Sequence, residues 1–204
     1  MVADRKAARR TAILTARRSL PAEVHAAEAE QLCRRVEAAV RGARTVCAYL
    51  PVGAEPGSPA LLDRLLELCD VVLLPVVHIG PDGEPDALQW GSYTPGRLVR
   101  ARWGLYEPPE PRLPADAIAE ADVVLVPALA VDRAGVRLGR GGGFYDRSLA
   151  LCRPGTALIA VVRDDEVVDE LPSEAHDVLM THALTPGSGV VPLGGRATDG
   201  GSST

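Results

Sequence analysis

Lysine is almost missing from this chain: Lys6 stands alone against 21 arginines in 204 residues. That ratio reads as a genomic composition bias, and it makes the single surviving lysine worth following. Aromatic residues are scarce at 3%, so each one present carries weight. The four cysteines (Cys33, Cys47, Cys69 and Cys152) form no C-x-x-C pair and have no neighbouring histidine. This excludes a zinc cluster and a disulfide framework and leaves small buried core residues as the reading. No apolar run approaches the length of a membrane span. The arginine-rich start has no apolar core after it, as a signal peptide would, and Asp4 and Glu23 break the acid-poor pattern of a transit peptide. A cytoplasmic protein is expected. Positive charge is not in excess either: the net charge of −5 argues against a nonspecific nucleic-acid binder and a polybasic membrane-surface protein. There are no internal repeats, no Walker A sequence and no Ser-His-Asp constellation.

The length fits one domain with a sizeable core, and 47% hydrophobic residues with 24% charged is ordinary for a globular protein. Residues 3–18 read as an amphipathic helix, and Pro21 opens a second that runs to about Val40. Strands are expected in Arg44–Leu50, Asp70–Val77, Val123–Val126 and Ala157–Val162, with a last apolar piece around Val178–Leu184. Helices are expected over Pro59–Leu68 and Phe144–Leu151. The stretch from Pro81 to Pro114 reads as loop-rich, with a short strand around Leu88–Trp90. The near-continuous apolar runs suit parallel strands covered on both faces. The fold class is therefore α/β: a three-layer α/β/α arrangement, Rossmann-like, around a mostly parallel central sheet. Residues 1–186 form one domain, and 187–204, rich in Gly, Ser, Thr and Asp, are expected to be a disordered tail.

The most informative segment is RLGRGGGFYDR, Arg137 to Arg147. Gly139, Gly141, Gly142 and Gly143 follow a buried-looking strand and precede a short helix. Glycine backbone folds its N–H groups into a concave nest that approaches phosphate closely, and a helix start adds its own free N–H groups. Arg137, Arg140 and Arg147 bracket the loop with groups suited to bidentate phosphate binding. Asp146 sits among them, placed to hold a divalent cation. The competing reading is a turn that merely needs positive φ, decorated by surface ion pairs. Lys6, Arg10 and Arg17 fall within about a 40° arc of the first helix at 3.6 residues per turn, either as a solvated basic face or as a wall facing the glycine loop. Glu55 lies in a Gly/Pro-rich turn after a strand, and Glu107 lies in a Tyr-Glu-Pro segment; on local grounds each reads first as an exposed turn carboxylate and second as a ligand group. Trp103, Tyr106, Tyr49 and Trp90 would either stack on a flat heterocycle or pack the core.

Taken together these segments resemble the 5-formyltetrahydrofolate cyclo-ligase (methenyltetrahydrofolate synthetase) family. The resemblance is carried by RLGRGGGFYDR, by the K-x-x-x-R of Lys6 to Arg10, and by Tyr49-Leu-Pro with Glu55-Pro-Gly-Ser58. Gly104-Leu-Tyr-Glu-Pro108 adds to it, as does Leu171-Pro with His176-Asp177 and Leu184-Thr185. It spans about residues 6–186. Phe144 stands where Tyr is commoner, Ser58 where Thr is usual, and Thr181 where the family often has a further Asp.

The resemblance implies ATP-dependent cyclisation of 5-formyltetrahydrofolate to 5,10-methenyltetrahydrofolate with Mg²⁺ and release of ADP and phosphate. It places ATP on Lys6, Ala7, Ala8, Arg9, Arg10, Arg137, Leu138, Gly139, Arg140, Gly141, Gly142, Gly143, Phe144 and Tyr145. Arg140 and Lys6 are the catalytic pair. The folate goes to Leu50, Glu55, Trp103, Tyr106 and Glu107, and the metal to Asp146 and Asp177. The expected partner is a reduced folate, with no nucleic acid and no membrane, and the chain is expected to be a monomer or weak homodimer. The alternative is a non-catalytic module of the same architecture that senses a nucleotide or sugar phosphate.

Overall fold

A computed structural model describes residues 2–174 and 177–194. Two helices, α1 (Val2–Arg18) and α2 (Ala22–Ala39), precede the first strand. Then come β1 (Thr45–Cys47), α3 (Pro59–Leu68), β2 (Val71–Val76), β3 (Gln89–Ser92), β4 (Val99–Arg100) and β5 (Tyr106–Glu107). The rest is β6 (Val123–Pro127), β7 (Ala130–Asp132), β8 (Arg137–Leu138), α4 (Phe144–Leu149), β9 (Ala157–Val161), β10 (Val167–Val168), β11 (His182–Thr185) and β12 (Gly189–Pro192). None of the described helices is long and apolar enough to cross a membrane.

The central sheet has the order β12-β11-β9-β6-β1-β2-β3. Its five inner strands are parallel, and the antiparallel β12 and β3 close the two edges. Strand side chains alternate between faces, and here both faces are apolar. Val123 and Leu125 of β6 join Leu32 and Val36 of α2 and Leu61, Leu62 and Leu65 of α3 in one cluster. Val124 and Val126 of the same strand face the other way, onto Ile118, Leu149 of α4, Trp90 and Met180. Two covered faces explain why the strands read as unbroken apolar runs rather than as alternation. The three-layer, mostly parallel arrangement is the one expected.

Beyond the C-terminal end of β6 the chain builds a small second sheet, β10-β7-β8. Leu129, Ala130, Val136, Leu138 and Leu171 form a third cluster, on which Ile13 and Leu14 of α1 pack. The first helix is thus docked beside the glycine loop rather than on the main sheet.

Some boundaries differ from the sequence reading. The first strand is shorter than Arg44–Leu50, although the Ala48 amide still donates to the Leu73 carbonyl. Helix α4 stops at Leu149, because Leu151 and Cys152 turn back on Ser148 and Leu149. The expectation of a disordered tail from residue 187 does not hold for its first part: Gly189–Pro192 form β12 and pair with β11 over four residues, an edge strand that the polar, glycine-rich composition hides. Residues 195–204 of that range lie outside the described residues. Cys47 and Cys69 are buried, Cys33 and Cys152 half-buried, and none is bonded to another.

Candidate active site

The loops after β1, β2 and β6 all leave the carboxyl end of the parallel sheet, where ligands of open α/β sheets bind. They enclose a cleft of about 370 Å³, walled on one side by Gly139–Asp146 and on the other by Leu50, Glu55, Trp103, Tyr106 and Glu107. Every folate-side residue read from the sequence lines this cleft, as do Arg137, Gly139, Arg140, Gly141, Gly142, Gly143, Phe144, Tyr145 and Asp146.

The glycine loop takes its shape from backbone that other residues adopt at a cost. Gly141 has φ +98° and Gly143, immediately before α4, φ +70°. Arg10 reaches across from α1, and its Nε donates to the Gly139 carbonyl at 2.9 Å. Helix α4 is held by the Ser148 hydroxyl, which donates to the Phe144 carbonyl and accepts the Leu88 amide. At six residues α4 is short, so the helix start contributes less to anion binding than the sequence suggested.

Four charged residues of the cleft lining pair with one another, and Lys6 of α1 forms a further pair outside it. Arg137 Nη2 lies 2.5 Å from Asp146, with its guanidinium 5.8 Å from the Tyr145 ring centre. Arg140 Nε lies 3.1 Å from Glu55 Oε1. Lys6 Nζ lies 3.2 Å from Glu174 and 3.5 Å from Asp177. The solvated-face reading of α1 therefore fails for all three of its marked cations. Arg10 meets the glycine loop at Gly139, Lys6 meets Glu174 and Asp177 outside the lining of the cleft, and Arg17 is buried against Glu166. Asp146 and Asp177 each face a different cation, and among the described residues no group of three or more His, Cys, Asp or Glu is arranged to hold a metal. Arg147 turns away and donates to the Gly143 carbonyl.

Other residues named from the sequence are placed less directly. Ala7 and Ala8 are exposed on α1, Arg9 donates to the Glu170 carbonyl, and the Leu138 side chain is buried in the third cluster. Trp90 is fully buried in the core, and Tyr49 is nearly so, its hydroxyl donating to the Pro56 carbonyl, while it also forms part of the cleft lining. Trp103 and Tyr106 are 68% and 53% exposed at the cleft. Trp103 has φ +55°, the only positive value for a non-glycine among the described residues. Left-handed backbone costs an ordinary residue about 1–2 kcal/mol, so the ring is held in the open at some expense. Glu107 is buried and accepts the Val77 amide at 2.9 Å, which ties β5 to the end of β2. Glu55 Oε2 accepts the Val52 amide at 2.9 Å, fixing the carboxylate across its own turn. Thr181 turns its hydroxyl onto Leu158 and into the sheet, where it does a structural job. His176 lies outside the described residues.

Sequence reasoning missed several cleft features. Ala128 and Leu129, beyond the end of β6, form part of the lining; the rule that strand carboxyl ends build the site would have found them. The Tyr145 hydroxyl and Arg137 Nε are buried without a hydrogen-bond partner among the described residues. Burial, reinforced by the charge of Glu55, pushes the Tyr145 hydroxyl well above its ordinary pKa, so it stays a donor. Only packing could reveal these.

Comparison with known proteins adds to this geometry. The model of the 5-formyltetrahydrofolate cyclo-ligase family matches residues 2–186. The 5-formyltetrahydrofolate cyclo-ligase of Mycolicibacterium smegmatis is 60% identical over 184 residues, covering 90% of this chain and 95% of that relative. The Escherichia coli protein of the same name is 31% identical over 145 residues, covering 71% of this chain and 79% of its own length. Among solved structures, the NMR structure of Aquifex aeolicus 5,10-methenyltetrahydrofolate synthetase has a TM-score of 0.76 at 25% identity. It covers 98% of this chain and 96% of that one.

Proposed function

Since the chain belongs to the 5-formyltetrahydrofolate cyclo-ligase family and is an enzyme of that class, we propose that it closes 5-formyltetrahydrofolate to 5,10-methenyltetrahydrofolate by consuming ATP, with release of ADP and phosphate. One observation carries the reading: a phosphate-type glycine loop and an aromatic, carboxylate-bearing wall share a single cleft.

The chemistry asks for that arrangement. The formyl oxygen is a poor leaving group until it is phosphorylated. Once it carries the γ-phosphoryl group, N10 attacks the formyl carbon, the C–O bond breaks, phosphate departs and N10 loses its proton. The attacking atoms all belong to the substrates, so the protein needs no nucleophile of its own. Its work is positioning and charge neutralisation. The amides of Gly139–Gly143, with Arg140 and Arg137, cradle the phosphates, while Lys6 and Arg10 close the nucleotide from α1. Glu55 holds N–H groups of the pterin, and Leu50, Trp103 and Tyr106 pack its ring and the attached chain.

Asp146 and Asp177 supply hard carboxylate oxygens, which suit Mg²⁺. A protein offering only one or two carboxylates suits an ion that arrives on phosphate better than a preformed cage. Magnesium there would neutralise charge developing on the phosphate oxygens. Carboxylates in that role would give up Arg137 and Lys6 and leave both cations to the phosphates.

The test is optical. Protein mixed with 5-formyltetrahydrofolate, ATP and Mg²⁺ should generate the methenyl chromophore and one phosphate per product. A non-hydrolysable ATP analogue should give neither. Chromophore formation without nucleotide, or ATP hydrolysis without chromophore, would sink the proposal.

A further inference from the structure

Three of the acidic groups assigned above to ligands are held by cations assigned to the phosphates: Asp146 by Arg137, Asp177 by Lys6 and Glu55 by Arg140. The third pair differs from the others because it joins the two half-sites. Arg140 belongs to the glycine loop and Glu55 to the turn after β1, so their contact spans the cleft. Both oxygens of Glu55 are engaged. Oε2 takes the Val52 amide of its own turn, and Oε1 takes Arg140. The first bond orients the carboxylate and need not be broken. The second occupies the oxygen that would receive a ring N–H of the folate. Glu55 is nearly buried at 13% exposure, whereas Arg140 is 55% exposed and free to be drawn elsewhere. Phosphate oxygens compete well for a guanidinium, because charge-assisted bonds to phosphate are strong and often bidentate.

We propose that Arg140, besides holding phosphate, is a positioning residue for the folate site. It holds Glu55 Oε1 while the nucleotide site is empty, and releases it when phosphates take the guanidinium. The inference rests on the functional reading above and deepens it, since it makes the two substrates bind with positive coupling. Coupling between sites is reciprocal: whatever factor the nucleotide adds to folate affinity, folate adds to nucleotide affinity. An exposed partner limits the strength of the pair, so the factor expected is about fivefold, at the low end of measured couplings.

Isothermal titration of the intact protein tests this without turnover, using 5-formyltetrahydrofolate and the Mg²⁺ complex of a non-hydrolysable ATP analogue. The wild type should bind the folate about fivefold more tightly with the analogue present. Arg140→Gln should bind folate alone with that tighter affinity and gain nothing more from the analogue. Glu55→Gln, read independently, should bind the analogue alone about fivefold more tightly because Arg140 is free. A merely structural ion pair predicts weaker binding in both variants. Equal folate affinity with and without analogue in the wild type overturns the inference while leaving the proposed reaction standing. So does weakened folate binding in Arg140→Gln. A wild type that binds neither ligand removes both.

Discussion

The guanidinium of Arg17 donates to both oxygens of Glu166 and to the Ala128 carbonyl, each at 2.7 Å, with both side chains almost fully buried. Glu166 also accepts the Arg163 amide. A buried pair adds little over a well-packed apolar one, but removing one partner strands the other. Arg17→Met should therefore lower stability by about 3–5 kcal/mol, read by urea unfolding, and adding Glu166→Gln should recover part of the loss. An unchanged unfolding midpoint would show that the pair is dispensable. The sequence marked Arg17 only as one cation on a helix face, in an arc with Lys6 and Arg10. Helical periodicity specifies that arc locally. What the arc meets depends on segments more than a hundred residues away, so Glu166 and Ala128 had no signature. At Glu55 and Arg140 the residue types were legible from their motifs, and their contact was not.

Strands were legible as elements because both faces of the sheet are covered. Their ends are set by individual side chains. Asp122, just before β6, accepts the amides of Arg44 and Thr45 at 2.7 and 3.0 Å and so pins the start of β1 to the start of β6. Those two amides, opposed by slight burial, hold its carboxyl below the ordinary carboxylate range. A group whose folded pKa is depressed stabilises the fold above its unfolded value, about 3.9, and that contribution is lost as pH falls through the lower folded value. Asp122→Ala should thus cost about 1 kcal/mol at pH 7, since the site is exposed. The gap to wild type should close in denaturation at pH 2–3; a gap independent of pH would remove the charge from the account. Strand β12 is the element that composition misread. Pro186, Gly187 and Ser188 form the turn that lets it pair, and Asp164 secures that turn by accepting the Gly187 and Ser188 amides. A carboxylate so far back in the chain leaves no trace in the local composition.

Across the whole molecule, β12 closes the sheet edge beside β11 and packs against α2. Truncation after residue 186 should therefore expose that edge and lower the thermal midpoint by several degrees, with a new tendency to self-associate on light scattering. A truncated protein with unchanged melting and size would make β12 an accessory. The same architecture brings the cleft together, because parallel strands put their following loops at one end. By itself the sequence determined the layered α/β class, the positive-φ backbone of the glycine loop, the arginines that bracket it and the ordered motifs that mark the family. These are encoded within a few residues, through φ preferences, side-chain chemistry and the period of apolar positions. Only the tertiary structure decided that Trp90 and Tyr49 pack the core while Trp103 stands open. It alone decided that Lys6 meets Asp177, Arg137 meets Asp146 and Arg140 meets Glu55. Burial and ion pairing are properties of surfaces brought together by folding, and sheet order, which sets those neighbours, is written in no single segment.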